Sequence, residues 1–441
     1  MFLNREKELQ TLNAEFQKNS SAMSVIYGRR RVGKTALISQ YIKDQPHIYF
    51  YATSSDLKQQ YEQLSQQVLK LFDVKHSHRI SLNTFEEIID FIVEEMEEKI
   101  VFVIDEFQNL CYLDKSFSSN LQKIWDMKLE KTDIHLILCG SVLSMMHSEV
   151  LDQTAPLYGR RTSNIHLRPL NFKYIADFLP DISKEDQINI YASFGTIPKY
   201  LQAYDKNLSF KENIKQNILN KDSYLYSEGQ FLLKLEINEV GTYFGIIEAI
   251  SKGNTKIGDI ASILGVHSSY LPRYLQKLID LDILIKEVPI TEKDPRKSKM
   301  GRYRIKDKFL NFWFYYVYRN YQHLEIGQDQ TVLDEIEINF NDRFVAFAFE
   351  DYIQELILID PIRYIGFIPT KIGRWWTNKE EIDLIAFNDT QIAYIECKWR
   401  NSVNKEKVKS QLVRKSTLID SSNKDEYYFV FIKEEYLNSK L

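Results

Sequence analysis

The stretch Gly28-Arg29-Arg30-Arg31-Val32-Gly33-Lys34-Thr35 lies between an apolar run, Met23 to Tyr27, and residues with helical spacing, Ala36 to Ile42. Its pattern is a glycine, four variable residues and then Gly-Lys-Thr. A loop of this kind turns its backbone amides toward phosphate groups at the N-terminus of a helix. The stretch therefore predicts a strand, a phosphate-binding loop (the P-loop) and a helix, which together open a parallel α/β sheet.

The P-loop also assigns roles to individual residues in binding ATP and Mg²⁺. We expect Lys34 to neutralise the β- and γ-phosphates and the Thr35 hydroxyl to ligate Mg²⁺. The other residues expected to contact the nucleotide here are Gly28, Arg31, Val32, Gly33 and Ala36.

A second apolar run, Ile100 to Ile104, ends in the carboxylates Asp105 and Glu106. Parallel strands end at the same edge of a sheet, so both groups are predicted beside the phosphates. Asp105 would hold Mg²⁺ through water, and Glu106 would be the catalytic group that polarises the attacking water.

Ser141 and Arg160 are further candidates, each with an open alternative. Ser141 follows a third apolar run, Ile134 to Cys139, and either senses the γ-phosphate or caps the next helix. Arg160 either stabilises transition-state charge, in cis or across a subunit interface, or belongs to a solvated basic turn. A role across an interface would require a homo-oligomer.

The first half of the chain resembles the archaeal-type DEXX-box ATPases, which are relatives of the AAA+ and STAND nucleoside triphosphatases. Besides the P-loop, the resemblance rests on Phe2-Leu3-Asn4-Arg5-Glu6-Lys7-Glu8-Leu9, Asp105-Glu106-Phe107-Gln108, Cys139-Gly140-Ser141, Pro156-Leu157-Tyr158-Gly159-Arg160 and Gly195-Thr196-Ile197-Pro198-Lys199-Tyr200-Leu201. It implies that Asn4 and Arg5 lie against the adenine. Thr196 stands where these proteins commonly have a second glycine, which leaves a nucleotide-sensing role for that motif open.

Composition narrows the class of protein. The 441 residues are too many for one ordinary core, so two or three domains are expected. A 44% hydrophobic and 27% charged chain is typical of soluble globular proteins, and the net charge of −4 disfavours a surface that binds nucleic acid everywhere. The three cysteines lack disulfide or zinc spacing, and neither a signal-peptide core nor a run of roughly 20 apolar residues occurs. We therefore expect a cytoplasmic protein with no membrane partner.

The order of apolar runs predicts a multidomain α/β protein. Residues 1–170 form a P-loop NTPase core with a parallel sheet, residues 171–232 a helical subdomain, residues 233–325 a winged helix and residues 335–441 a last α/β domain. The acidic residues 334–337 mark the connector before the last domain. The first strand of that domain is expected at Arg363 to Phe367.

The winged helix is predicted from helices at Tyr243 to Ser251, Ile257 to Leu264 and about Ser269 to Leu281, with a hairpin after them. DNA is the expected partner, because polar side chains would face the major groove and a basic wing would meet phosphates. The groove-facing residues would be Ser268, Ser269, Tyr270, Arg273, Tyr274 and Lys277, and the wing cations Lys293, Arg296, Lys297, Lys299, Arg302, Arg304, Lys306 and Lys308. Protein packing is the alternative role of such a unit. The aromatic run Phe312 to Tyr318 is interpreted as core.

In the last domain, Asp383 lies on one predicted strand, and Glu396 and Lys398 end the next. Residues two apart on a strand share a face, so two carboxylates and an ammonium would meet: Asp383 and Glu396 to bind Mg²⁺, and Lys398 to orient or activate water. This arrangement resembles the PD-(D/E)xK nucleases, a restriction-endonuclease-like fold, which implies that Glu350 on the first helix completes the metal site. An ordinary hairpin with surface charges, or a related fold that binds without cleaving, remains open.

The leading hypothesis is a DNA-directed ATPase whose nucleotide state controls the winged helix and a Mg²⁺-dependent nuclease. Its rival is a nucleotide-switched regulator or signalling ATPase that uses the same domains only for binding. A structural assembly factor is a third possibility.

Overall fold

The computed structural model describes residues 2–74, 80–237, 239–421 and 423–438. The chain divides into two compact units, Met1–Leu170 and Asn171–Leu441. In the described ranges, no helix has both the length and the apolar character that a membrane crossing requires.

The first unit is built on five strands: β1 (Ala22–Tyr27), β2 (His47–Tyr51), β3 (Val101–Asp105), β4 (His135–Gly140) and β5 (Ser163–His166). Their order is β2-β3-β4-β1-β5, and every neighbouring pair is parallel. Every residue of β3 and β4 is buried, as expected for strands covered on both faces. The predicted parallel sheet is confirmed, and the carboxyl ends of β1, β3 and β4 lie at one edge.

Helices cover the sheet of the first unit. The α-helices are Glu6–Phe16, Lys34–Tyr41, Leu57–Leu71, Phe85–Glu95, Gln108–Leu113, Phe117–Met127 and Leu143–Met146. Short 3₁₀ turns at Ile42–Asp44 and Leu129–Lys131 and a π-helical turn at His147–Leu151 join them. The start of Phe85–Glu95 is set by Thr84, which forms a capping box with Glu87.

The second unit begins with helices, as predicted for residues 171–232. They are Tyr174–Phe178, Lys184–Ser193, Pro198–Leu201, Phe210–Asn213, a π-helix at Ile214–Leu219, and Tyr224–Glu236.

Three helices and a two-stranded hairpin follow, in the order predicted for a winged helix. The helical segments are Val240–Ser251, Ile257–Leu264, a 3₁₀ turn at Ser268–Tyr270, and Pro272–Asp280. The hairpin pairs β6 (Leu284–Glu287) with β7 (Arg302–Ile305) in antiparallel register.

A long helical stretch connects this hairpin to the last sheet. It comprises Lys308–Phe312, a π-helix at Trp313–Val317, a 3₁₀ turn at Tyr318–Asn320, Tyr321–Glu325 and Asp329–Phe340. Phe312, Trp313 and Phe314 are fully buried, which confirms their interpretation as core. The acidic connector at 334–337 was a wrong prediction, because these residues lie inside Asp329–Phe340, whose Leu333 and Ile336 are buried.

The last sheet has four strands: β8 (Lys371–Trp376), β9 (Glu381–Phe387), β10 (Gln391–Lys398) and β11 (Asp425–Ile432). Their order is β11-β10-β9-β8, with only the β10–β11 pair parallel. The helices of this region are a π-helix at Asn341–Val345, Ala346–Ile359, Pro361–Ile365, Lys405–Ser416 and Lys433–Leu437.

The prediction of a strand at Arg363 to Phe367 is wrong. That segment belongs to the helix Pro361–Ile365, which starts after Asp360 and stops at Gly366. The Asp360 side chain accepts a hydrogen bond from the Arg363 amide, Pro361 occupies the first turn, and Gly366 takes a φ of +81°. The first strand of the sheet is β8 instead.

Candidate active sites

The P-loop lies between β1 and the helix Lys34–Tyr41. Gly28 has a φ of +153°, and a Cβ there would come within 2.3 Å of the Leu167 carbonyl oxygen. Gly33 has a φ of +99°, so both positions require glycine. Arg31 also takes a positive φ, +70°, a strained conformation of the kind that clusters at ligand sites.

Lys34 extends back along this loop. Its Nζ donates to the carbonyl oxygens of Gly28, at 2.9 Å, and Arg29, at 3.0 Å. Burial lowers the pKa of Lys34. Thr35 and Ala36 are exposed at the start of the helix, where a nucleotide would meet them.

Asp105, at the end of β3, joins the P-loop to the neighbouring strand. Its side chain accepts hydrogen bonds from the Thr35 hydroxyl at 3.2 Å, the Tyr49 hydroxyl at 2.5 Å and the Glu106 amide at 2.9 Å. Burial and the bond to Asp105 both raise the pKa of Tyr49, so this phenol stays protonated and donates. Tyr49 on β2 was not predicted as a site residue.

Glu106 is held by two side chains from neighbouring segments. The Ser141 hydroxyl donates to its carboxylate at 2.7 Å, and the Gln108 amide donates to the same oxygen. Glu106 has a φ of +56°, which is unfavourable for a residue with a Cβ and marks a position held by its surroundings. The structure thus brings Lys34, Thr35, Asp105, Glu106 and Ser141 to one edge of the sheet.

Arg5 supports the P-loop from the N-terminal side. Its guanidinium donates to the carbonyl oxygens of Val32, at 3.1 Å, and Arg168, at 2.9 Å, and the side chain is almost completely buried. Asn4, the residue before it, has a φ of +55°. Contact of Asn4 and Arg5 with adenine stays a prediction.

Arg160 makes a bidentate ion pair with Asp126. Its Nε and Nη2 donate to the Asp126 carboxylate at 3.0 and 2.8 Å, and this pairing lowers the pKa of Asp126. A third bond goes to the Pro156 carbonyl oxygen at 3.4 Å. Its hydrogen bonds therefore do not bring Arg160 to Lys34 or Glu106, and a catalytic role stays a prediction.

A second group of polar residues forms where β9 and β10 pair. Lys398 Nζ lies 3.2 Å from Asp383 Oδ2 and 2.5 Å from Glu396 Oε2. The Cys397 amide donates to Asp383 at 2.8 Å, and Lys415, from the helix Lys405–Ser416, donates to Glu396 at 2.6 Å. The structure brings the three predicted residues together and adds Lys415, which was not predicted as a member of this site.

Burial and charge act in opposite directions on these carboxylates. Burial and the neighbouring Glu396 raise the pKa of Asp383 to about 6. Burial also acts to raise the pKa of Glu396, but Lys398 and Lys415 outweigh it and lower that pKa. The Lys398 pKa is raised, although burial opposes this, because both carboxylates favour its charged form. Lys398 is therefore a cation and donates to its partners.

Glu350 lies close to this group but has another partner. Its carboxylate pairs with Arg374 on β8, and burial raises the pKa of Glu350 to about 8 despite that cation. Within the described part of the chain, no three His, Cys, Asp or Glu side chains form a group able to hold a metal ion. Glu350 would have to leave Arg374 to become a ligand together with Asp383 and Glu396.

The cations predicted for the wing fall into two sets. Those in the loop between the strands are exposed: Lys293, Arg296, Lys297 and Lys299. Those from β7 onward are paired with carboxylates, namely Arg302 with Glu381, Arg304 with Glu287 and Asp351, Lys306 with Asp282, and Lys308 with Asp351. Lys297 of the loop also lies 3.6 Å from Asp294, so five of the eight cations expected to bind phosphate already have a carboxylate partner.

The expected groove-facing surface is also partly occupied. Tyr274 is buried, and its hydroxyl donates to Glu239 at 2.9 Å. The Arg273 guanidinium lies over the Tyr270 ring, 5.1 Å from its centre, and over the Tyr274 ring at 4.6 Å. Only Tyr270 and Arg273 of these three are exposed and available to a partner.

The parallel sheet and the site at its edge define the chain as a P-loop ATPase. Residues 2–204 match a family described as an ATPase domain predominantly from Archaea, and residues 313–410 match one described as archaea bacterial proteins of unknown function. An uncharacterised protein of Methanocaldococcus jannaschii is 36% identical over 446 residues, which covers 98% of this chain and 96% of that protein. The chain belongs to the same family as this archaeal protein.

Two further similarities are more distant. An uncharacterised protein of Haemophilus influenzae is 26% identical over 225 residues, covering 49% of this chain and 48% of its own length. The solved structure of a Walker-type ATPase from Pyrococcus abyssi aligns with a TM-score of 0.52 at 18% identity, covering 71% of this chain and 96% of that one. The similarity to the Pyrococcus abyssi structure is a similarity of fold alone.

Proposed function

We propose that this ATP-hydrolysing enzyme acts on DNA, and that its nucleotide site controls Mg²⁺-dependent phosphodiester cleavage at Asp383, Glu396 and Lys398. The observation that carries the proposal is the position of Lys398 Nζ, within hydrogen-bond distance of carboxylates on two neighbouring strands. Two acids and a cation at one point are what metal-assisted hydrolysis of a phosphate ester requires.

At the nucleotide site, Thr35 and Asp105 fit a Mg²⁺ ion because their oxygens, 3.2 Å apart, are the hard ligands that this ion takes. Mg²⁺ bound with ATP would neutralise charge on the transferred phosphoryl group. Lys34 would exchange its bonds to the loop carbonyls for bonds to the phosphates. Glu106, oriented by Ser141, would take a proton from the attacking water.

At the second site, Asp383 and Glu396 supply two carboxylates that fit Mg²⁺, which when bound would polarise the phosphate. Lys398 would orient the attacking water and stabilise the negative charge that develops on the phosphate oxygens. The water oxygen forms a bond to phosphorus, and the bond from phosphorus to the leaving sugar oxygen breaks. The water loses a proton to solvent, and the leaving oxygen gains one.

One observation favours the alternative, a nucleotide-switched regulator whose second unit binds without cleaving. Each carboxylate of the group already has a basic partner: Lys398 for Asp383, Lys398 and Lys415 for Glu396, and Arg374 for Glu350. Such neutralisation stabilises the fold without a metal, so a binding role needs no rearrangement of these side chains.

Cleavage of plasmid, branched and single-stranded DNA in Mg²⁺ or Mn²⁺ separates the two functions. We expect the purified protein to nick or cut at least one of these substrates. Asp383→Asn and Lys398→Ala should abolish cutting and leave ATP hydrolysis unchanged. Asp389→Asn is the matched control, since this exposed residue lies at the turn between the same two strands. No cutting of any substrate would favour the regulator.

A further inference from the structure

The second unit contains a cavity of about 630 Å³ whose wall includes Asp383 and Glu350. Arg302 and Arg304 of β7 form another part of the wall. The volume lies within the range of small-ligand sites, about 300–1,000 Å³. A site of this size suits one or two nucleotides of a single strand better than a duplex.

One helical face leads along this cavity toward Asp383. Arg343, Phe347 and Glu350 all contribute to the wall and follow one another at i, i+4 and i+7 on the continuous helical stretch from Asn341 to Ile359. From Arg343 to Glu350 the axis advances about 10 Å. A cation, an aromatic ring and a carboxylate thus succeed one another over the length of one or two nucleotides.

The charge of Arg343 is not balanced by an acid. Its Nη2 donates to the Ser251 carbonyl oxygen at 3.2 Å, and its guanidinium lies 4.3 Å from the centre of the Tyr315 ring. Its Nε is buried without a hydrogen-bond partner, and among the residues that the structure describes no carboxylate lies within ion-pair distance of it. Arg304 and Arg374 in the same wall, in contrast, are both paired with Asp351. Arg343 is therefore the wall cation best suited to an incoming phosphate.

Phe347 offers an open aromatic surface. The side chain is 46% exposed although it is a large apolar group, and it forms part of the cavity wall. The Arg374 guanidinium lies 5.7 Å from the centre of its ring. Exposed rings beside cations are the platforms on which single-stranded nucleic acids stack their bases.

We propose that the cavity takes the end of a single DNA strand, with a phosphate at Arg343, a base against Phe347 and the next phosphodiester at Asp383. This inference rests on the proposed function and names its substrate class. Duplex DNA meets this site only where an end or a flap is unpaired.

Binding measured without divalent metal tests the inference apart from cleavage. The probes are a fluorescein-labelled single-stranded oligonucleotide, the blunt duplex of the same sequence and the duplex with a single-stranded tail, each followed by fluorescence anisotropy. Phe347→Ala and Arg343→Gln should each raise the Kd for the single strand about tenfold. Phe347→Trp, which keeps a ring, should bind like the wild type.

Phe231→Ala is the control, because Phe231 is 58% exposed and does not belong to the cavity wall. Circular dichroism spectra and urea-unfolding midpoints equal to those of the wild type show that the second unit of each variant is folded, because its substitutions lie outside the unit that hydrolyses ATP. Equal Kd values for the blunt duplex and the single strand would overturn the inference, and so would an unchanged Kd in Phe347→Ala. A mononucleotide that displaces the labelled single strand as well as the unlabelled oligonucleotide does would also overturn it. Binding that depends on Phe347, in a protein that cuts nothing, would leave the inference standing and overturn the proposed cleavage alone.

Discussion

Glu106 is the residue on which ATP hydrolysis is expected to depend most. Its carboxylate accepts a hydrogen bond from Ser141 and lies at the sheet edge beside Asp105 and the P-loop. A general base contributes typically 10²–10⁴-fold to a rate, so Glu106→Gln should lower kcat for phosphate release by about that factor. Binding of a fluorescent ATP analogue should persist, since Lys34 and Thr35 are unchanged.

The control for this prediction is Glu94→Gln, which removes the charge of an exposed glutamate on the helix Phe85–Glu95. It should hydrolyse ATP at the wild-type rate. A Glu106→Gln protein with wild-type kcat would mean that another group activates the water.

At the scale of residues, local sequence predicts some positions of the nucleotide site and not others. Lys34, Asp105 and Glu106 follow from short patterns, because each stands at a defined distance from the end of a strand. Tyr49 carries no such pattern, and its importance comes from β2 lying beside β3, which brings the Tyr49 hydroxyl to Asp105. Gln108 belongs to a matched motif, but its role appears only in the structure, where its side-chain amide donates to Glu106.

At the scale of elements, β4 contains a buried histidine within a continuous chain of hydrogen bonds. His135 is fully buried, with Nε2 2.7 Å from Ser24 Oγ and Nδ1 2.9 Å from the Tyr41 hydroxyl. Tyr41 donates to the Leu12 carbonyl oxygen, and Ser163 donates to Ser24. A neutral ring with its proton on Nδ1 satisfies every one of these bonds.

Burial lowers the pKa of His135 to about 4, so this strand should make folding sensitive to acid. Between pH 6.5 and pH 4 the unfolded chain binds a proton on this ring and the folded chain does not. His135 therefore contributes a fall in the free energy of unfolding of about 2 kcal/mol between pH 7 and pH 5. Asp383 and Glu350, whose pKa values are raised, contribute in the opposite direction, so the comparison of wild type with a His135 variant isolates this contribution. Urea unfolding followed by circular dichroism at both pH values measures the difference.

His135→Gln should lose most of this pH dependence, whatever its stability at pH 7. His323→Gln, which changes an exposed histidine, should keep it. If the free energy of unfolding of wild type and of His135→Gln changed by the same amount from pH 7 to pH 5, His135 would not be the source of the pH dependence.

Helices and strands could be predicted where their buried apolar residues follow a simple pattern along the sequence. The apolar runs that predicted β1, β3 and β4 agree with these strands to within one residue at each end, because continuous apolar runs are required of strands covered on both faces. Pro361–Ile365 was missed because five residues are too few to show a helical period, although Asp360, Pro361 and Gly366 are start and stop signals. The helix Asp329–Phe340 was missed because its acidic face masks the buried Val332, Leu333 and Ile336.

At the scale of the whole molecule, the two units contain different chemistry. The first unit contains the nucleotide site, and the second contains Asp383 and Glu396 with the adjoining cavity. Composition alone could predict neither the cavity nor the ion pairs of the cations from β7 onward, since both arise from residues far apart in the chain. The pairing of Arg304 on β7 with Asp351 on the helix Ala346–Ile359 is an example.

The most direct test of the account is the rate of DNA cleavage with ATP, with ADP and without nucleotide, in wild type and in Lys34→Ala. Coupling between sites typically amounts to 5–150-fold, so ATP should change the wild-type cleavage rate about tenfold relative to the nucleotide-free protein. Lys34→Ala should cleave at the nucleotide-free rate under all three conditions. Cleavage at one rate in all conditions by both proteins would contradict control of the second unit by the nucleotide site.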